Sequence, residues 1–219
     1  MIDHRLLGFF SGFPSHSFPR DVAERLREEL TQRGSLVFVC SDPAGHAKTD
    51  YYVPIMRGCF EEIGVTFAEC RVIDDRMDIS HAIQLIEKAS CVHLMGGQTR
   101  KQIQFLRETG LDAAICSSSA AVLGVSAGAI NMAKRSLATE EFPIPYEGLG
   151  LADITVKPHF DPNDRKVLKT LLRVSMELPI CAMEDDSAIF VAGGRVTSVG
   201  EIHWIRRGKI TPFREREQA

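Results

Sequence analysis

Hydrophobic and polar positions fall in alternating blocks from the start of the chain. Apolar runs at residues 5–10, 36–40 and 65–72 are separated by amphipathic stretches at 21–33 and 51–63. Short apolar runs bounded by turn residues read as strands, and stretches with a 3.6-residue period read as helices. Their alternation predicts βαβ units around a mostly parallel sheet.

The pattern continues with a helix over 80–89 capped by Ser80, a strand over 91–95 that ends in Gly96-Gly97, and a helix over 99–108. Residues 111–118 read as a further helix, 121–125 as a strand of small apolar residues, and 128–134 as a helix. Residues 138–149 are rich in Pro and Gly, 154–156 form a strand, and 163–177 have helical periodicity. After Pro179 the chain is β-rich: strands at 180–183, 188–192, 195–199 and 202–206, with Gly193-Gly194 turning the middle pair, then a frayed end at 214–219. Gly97 and Ser126 both fall at carboxyl ends of strands, where open α/β sheets bind ligands.

With 219 residues, 44% of them hydrophobic, and no repeat or low-complexity linker, the chain reads as one domain over 1–219 that buries about 70% of its unfolded surface. A net charge of −3 with the two signs interspersed disfavours nucleic acid or an anionic membrane as partner and points to a small ligand. The six cysteines are dispersed without a C-x-x-C pair, so they read as reduced thiols and not as zinc or redox sites. The apolar patch Leu6-Leu7, Phe9-Phe10 is too short for a signal core or a span, which predicts a cytoplasmic location.

The chemistry concentrates at Gly124-Val125-Ser126-Ala127-Gly128, a G-x-S-x-G pattern whose glycines permit a sharp strand-to-helix turn that lifts a hydroxyl above a sheet. Small residues also occur wherever a helix packs tightly on a sheet, so the context matters more than the pentapeptide. A second glycine-rich turn at Gly96-Gly97 can bring a backbone N–H beside Ser126. With the N–H of Ala127 it would form an oxyanion hole from Gly97 and Ala127.

A neutral hydroxyl needs a base. His159, in Lys157-Pro158-His159-Phe160-Asp161, follows a strand and precedes a helix at the same rim of the sheet; His203 is the rival, as the residue that an α/β-hydrolase chain order would use. Glu184, at the end of the strand over 180–183, is placed to orient the imidazole. Its neighbours Asp185 and Asp186 make the cluster equally readable as a solvated acidic turn, and Glu141 is a second candidate acid. His46, His81 and His93 lack ligand spacing, so neither a metal nor a cofactor is expected.

Four separated segments carry a family resemblance: Leu94-Met95-Gly96-Gly97-Gln98-Thr99, similar to G-G-N-T; Gly124-Val125-Ser126-Ala127-Gly128-Ala129; Lys157-Pro158-His159-Phe160, similar to N-P-H-F; and Glu184-Asp185-Asp186-Ser187-Ala188. Together and in this order they resemble peptidase family S51, which contains dipeptidase E and cyanophycinase. The resemblance implies a class I glutamine amidotransferase-like fold with serine at the elbow, and a triad of Ser126 as nucleophile, His159 as base and Glu184 as orienting acid. Glu141, in Glu141-Phe142-Pro143-Ile144, matches an alternative acid position. Gln98 and Lys157 stand where the family motifs have asparagine; beside the oxyanion turn, Gln98 and Thr99 are the expected substrate contacts.

The expectation is therefore a serine peptidase cleaving short peptides through an acyl-enzyme, as a monomer or homodimer. A cyanophycinase-like isopeptidase, a noncatalytic binder on the same scaffold, and an esterase using His203 are the alternatives.

Overall fold

The computed structural model describes residues 5–138, 144–213 and 216–217. In chain order the elements are β1 (Leu7–Phe10), α1 (Arg20–Glu29), β2 (Ser35–Val39), α2 (His46–Glu62), β3 (Glu69–Ile73), α3 (Ile79–Glu87), β4 (Cys91–Leu94), α4 (Thr99–Thr109), α5 (Leu111–Ser117), β5 (Ala121–Val125) and α6 (Ala127–Met132). There follow β6 (Arg135–Leu137), β7 (Pro145–Glu147), β8 (Val156–Lys157), α7 (Arg165–Val174), β9 (Ile180–Met183), β10 (Ala188–Ala192), β11 (Arg195–Val199), β12 (Ile202–Arg206), β13 (Lys209–Pro212) and β14 (Arg216–Glu217).

The main sheet has the order β14-β11-β10-β1-β5-β4-β2-β3. The five strands from β1 to β3 in that order run parallel, and β10, β11 and β14 extend it antiparallel. A mostly parallel sheet flanked by helices, with added antiparallel strands toward the C-terminus, is the architecture the hydrophobic pattern predicts.

Strands covered on both faces must be apolar on both, which is why β2 reads as the unbroken run Leu36-Val37-Phe38-Val39, each residue fully buried. Alternate residues divide between two cores. Leu7, Phe9, Val37 and Val39 pack with α3, α4, α5 and α6, whereas Phe10, Leu36, Phe38 and Leu123 pack with α1 and α2. A second sheet, β13-β12-β9-β8, encloses a small core with α7 through Leu171, Ile180, Ala182 and Ile205. Fully burying such a side chain contributes about 1.5–3 kcal/mol.

Local departures from expectation have local causes. Helix α2 begins at His46, five residues before the expected 51, because its first turn is too polar to show an apolar stripe. Helix α3 is capped by Asp78, whose carboxylate accepts from the His81 N–H, and not by Ser80. Strand β3 starts at Glu69; Val65 and Phe67 are buried from the preceding loop. Of the end expected to fray, Arg216–Glu217 pairs with Arg195 and Val196 of β11, while positions 214–215 and 218–219 lie outside the described residues. All six cysteines are free, but Cys116 is exposed and only Cys40, Cys59, Cys91 and Cys181 are buried. Among the described residues, no helix is long and apolar enough to cross a membrane.

Candidate active site

The carboxyl ends of β1, β2, β4 and β5 open on one side of the sheet, and there the chain places its chemistry. Ser126 follows β5 with φ 50° and ψ −108°, a conformation disfavoured for a residue with a side chain. It is held there from both sides: its N–H donates to the Phe10 carbonyl at 2.9 Å, and its own carbonyl accepts from the Ile130 N–H in the first turn of α6. The turn also needs a bare backbone at Gly128, where a Cβ would come 2.1 Å from the Leu94 carbonyl oxygen. Helix α6 can thus lie against β4 only with glycine at that position.

His159, after β8, also has positive φ, 52°. Its Nε2 is 3.0 Å from Ser126 Oγ, and its Nδ1 is 2.6 Å from Asp185 Oδ1. An ionised carboxylate can only accept, so Nδ1 carries the proton and Nε2 presents its lone pair to the hydroxyl. Serine, imidazole and carboxylate so connected can pass a proton from the hydroxyl to the ring while the carboxylate steadies the resulting cation.

The orienting acid differs from the expectation. Glu184 does not reach His159; its Oε1 lies 2.7 Å from His203 Nε2. Strand alternation explains this. Met183 belongs to the main core and Ala182 to the small one, so continuing the two-residue period sends Asp185 to the main sheet's rim. It sends Glu184 to the face where His203 pairs across from Ala182. The same arrangement removes His203 as a partner of Ser126. Glu141 lies outside the described residues.

Of the other expected residues, Gly96 and Gly97 turn beside Ser126: a Cβ built on Gly96 would lie 3.4 Å from that of Ser126. Ala127, as the first residue of α6, has an N–H that the helix leaves without an internal partner. Gln98 lines the cavity in front of Ser126, but Thr99 does not. Thr99 is buried as the first residue of α4, and its carbonyl accepts from Asn131 Nδ2 at 2.9 Å.

Three supporting groups escaped the sequence reading. Buried Ser11 accepts from the His159 N–H at 2.8 Å, and its hydroxyl faces the Met183 carbonyl at 3.0 Å and Asp185 Oδ1 at 3.4 Å. Buried Gln102 donates to the carbonyls of Cys40 and Met95, and buried Asn131 joins Gln102 to Thr99 and accepts from the Tyr146 hydroxyl. This network fixes both ends of the Gly96-Gly97 turn. Its clearest sequence signal is Asn131, an amide between Ile130 and Met132 on α6.

Lys157 is buried beneath the site, with its ammonium donating to the Pro158 carbonyl. Burial holds its pKa below the ordinary lysine value, against the opposing pull of Asp185 and Asp164.

Away from the serine, His46, Asp74 and Asp75 bring donor atoms within 4.8 Å of one another. Arg76 already bonds both Asp74 oxygens and those of Asp50. Burial raises the Asp74 pKa, but the hydrogen bonds and charge of Arg76 outweigh it and hold the carboxyl below its usual range. The guanidinium thus already occupies both Asp74 oxygens that a cation would need.

The cavity in front of Ser126 measures about 890 Å³ and is bounded by the loop after β1, helix α2 from His46 to Cys59, and the turns after β2, β4 and β5. That size suits a short peptide or another small ligand.

An uncharacterised peptidase of Listeria innocua is 25% identical over 193 residues, spanning 82% of this chain and 91% of the relative. Among solved structures, a peptidase from an acI-B1 actinobacterium superposes with a TM-score of 0.76 at 15% identity, covering 98% of each chain. A candidate peptidase E protein from Listeria monocytogenes superposes with a TM-score of 0.65 at 19% identity, covering 89% of this chain and 98% of the other. At such identities these superpositions speak for the fold alone. The sequence model of peptidase family S51 matches residues 9–199, and the chain belongs to that family.

Proposed function

We propose that the protein is a serine-type peptidase that cleaves short peptides through Ser126, His159 and Asp185. The observation that carries the reading is the unbroken relay from Ser126 Oγ to His159 Nε2 at 3.0 Å and from His159 Nδ1 to Asp185 at 2.6 Å. Membership of a peptidase family narrows the chemistry of such a relay to acyl transfer from an amide.

In this mechanism His159 takes the hydroxyl proton as Ser126 attacks the scissile carbonyl. The N–H groups of Gly97 and Ala127 receive the developing oxyanion, and Asp185 stabilises the imidazolium. His159 then returns the proton to the leaving amine. Water, activated by the same ring, hydrolyses the acyl-enzyme and regenerates the serine.

A fluorophosphonate should label wild-type protein at Ser126 and leave Ser126→Ala unlabelled. In a dipeptide library the same substitution should lower kcat by roughly 10⁴- to 10⁶-fold. Equal turnover by the two proteins would refute the assignment of the nucleophile.

A further inference from the structure

We infer that the cavity selects a large apolar or aromatic side chain on the residue whose carbonyl Ser126 attacks. This rests on the peptidase reading and adds to it the class of substrate.

The buried and half-buried apolar part of the cavity lining comes from Phe13, Ile55, Met56, Cys59, His93 and Met95. Phe13, Cys59, His93 and Met95 are each at most 8% exposed. Two of the six carry polar atoms: the Cys59 thiol, which donates to the His16 carbonyl at 2.9 Å, and the His93 imidazole. The imidazole packs T-shaped against Phe38, with ring centroids 5.3 Å apart, and against Phe60 at 6.2 Å, and its Nδ1 has no hydrogen-bond partner. Burial lowers its pKa to about 3, so at neutral pH the ring is an uncharged part of an apolar wall.

Among the described residues, no arginine lines the cavity. Of its cationic or titratable nitrogens, Lys48 is exposed at the start of α2, His46 is engaged with Asp75, His16 packs its ring against Tyr52, and His159 belongs to the relay. An acidic substrate side chain pushed into this recess would lose its water and find no buried cation in exchange, a costly transfer. A leucine, methionine or phenylalanine side chain gains by the same burial.

The chemistry also decides which half of the substrate occupies the recess. His159 must hand its proton to the leaving amine, and its side chain is 50% exposed. The amine half therefore departs on the solvent side. The acyl half stays attached to Ser126 through the intermediate and lies on the enclosed side, between the Gly96-Gly97 turn and α2.

The test measures kcat/KM for matched Xaa-Ala and Xaa-Ala-Ala peptides with Xaa as Phe, Leu, Met, Ala, Asp or Glu, alongside fluorophosphonate labelling of Ser126. Apolar Xaa should exceed Asp and Glu by about 10²-fold or more. Met56→Arg, which plants a cation in the wall, should lower the Phe and Leu values by about tenfold or more and raise the Asp value, with Ser126 still labelled. Labelling together with equal or better cleavage of the acidic peptides overturns this inference and leaves the serine peptidase standing. Labelling with no peptide cleaved above the Ser126→Ala background also overturns it. Absence of both labelling and cleavage removes the peptidase reading and this inference together. Should Met56→Arg fail to fold, the wild-type preference decides, and Ile55→Arg repeats the test of the wall.

Discussion

Ser126 and His159 meet at 3.0 Å, and both hold backbones with positive φ, 50° and 52°. Each such conformation costs about 1–3 kcal/mol in a residue that carries a side chain. Both persist because hydrogen bonds from distant segments over-determine them: the Phe10 carbonyl for Ser126, the Ser11 hydroxyl for His159. The two anchors are consecutive residues at the end of β1, so one strand end sets the relative position of hydroxyl and imidazole.

The division of labour between adjacent acids is open to a direct comparison. Asp185→Asn keeps the shape of the side chain but removes the charge and favours the wrong tautomer of His159, so kcat should fall by about 10²- to 10⁴-fold. Glu184→Gln touches only the partly exposed pair with His203, whose contribution to stability is below about 1 kcal/mol. It should leave kcat within about threefold. Steady-state kinetics on one peptide separates the two, and the reverse order would restore Glu184 as the orienting acid.

These residues also show where sequence reading reached its limit. That Ser126 and the Gly96-Gly97 turn lie together was legible because the glycine spacing encodes local turns, and the place of His159 because it follows a strand at the rim. The carboxylate beside His159 is one residue away from the expected Glu184, although the two-residue period of β9 carried through Met183 separates Glu184 from Asp185 by face. Ser11 and Asn131 left almost no trace. Ser11 bonds His159 across 148 positions of sequence, and Asn131 meets Gln102 across 29, pairings that exist only once the sheet order is known. Helix boundaries failed where polar first turns hid them, as in α2.

The loop after β1 makes a prediction about geometry in isolation. A Cβ on Gly12 would come 2.4 Å from His159 Cε1 and 2.9 Å from Asp185 Oδ1. The ring and the carboxylate are side chains at the surface, so they can yield, and Gly12→Ala should fold with a Tm near that of wild type. The relay is displaced in yielding, and a shift approaching 1 Å lowers kcat by about 10²-fold. A fall in Tm with kcat unchanged would mean that the backbone moves instead.

Asn131 is fully buried and has every polar atom engaged: its amide donates to Thr99 and Gln102, and its oxygen accepts from Tyr146. Asn131→Ala removes three buried or half-buried hydrogen bonds and should cost about 1–3 kcal/mol. For a chain of this length each kcal/mol moves Tm by about 2–4 °C. Because the network fixes the turn that carries Gly97, turnover should fall as well, and the defect should lie in kcat more than in KM. Calorimetry with parallel kinetics checks both; a stability loss with normal kcat would detach the network from the oxyanion turn.

His93 gives the acid limb of stability its sign. Burial lowers its pKa from 6.5 to about 3 in the folded chain, so between those values the unfolded state binds a proton that the folded state refuses. Stability therefore rises with pH across that window and is lost as pH falls from about 6.5 toward 3, with a slope approaching 1.4 kcal/mol per pH unit from this one group. Its Nδ1 makes no hydrogen bond, and its ring packs T-shaped against Phe38 and Phe60. A phenylalanine can replace it without stranding that nitrogen. In His93→Phe, urea unfolding measured from pH 7 to pH 4 should show a flatter decline than in wild type, the two curves diverging most at the acid end. Parallel curves would mean that the imidazole gains access to water, or to a partner, in the folded protein.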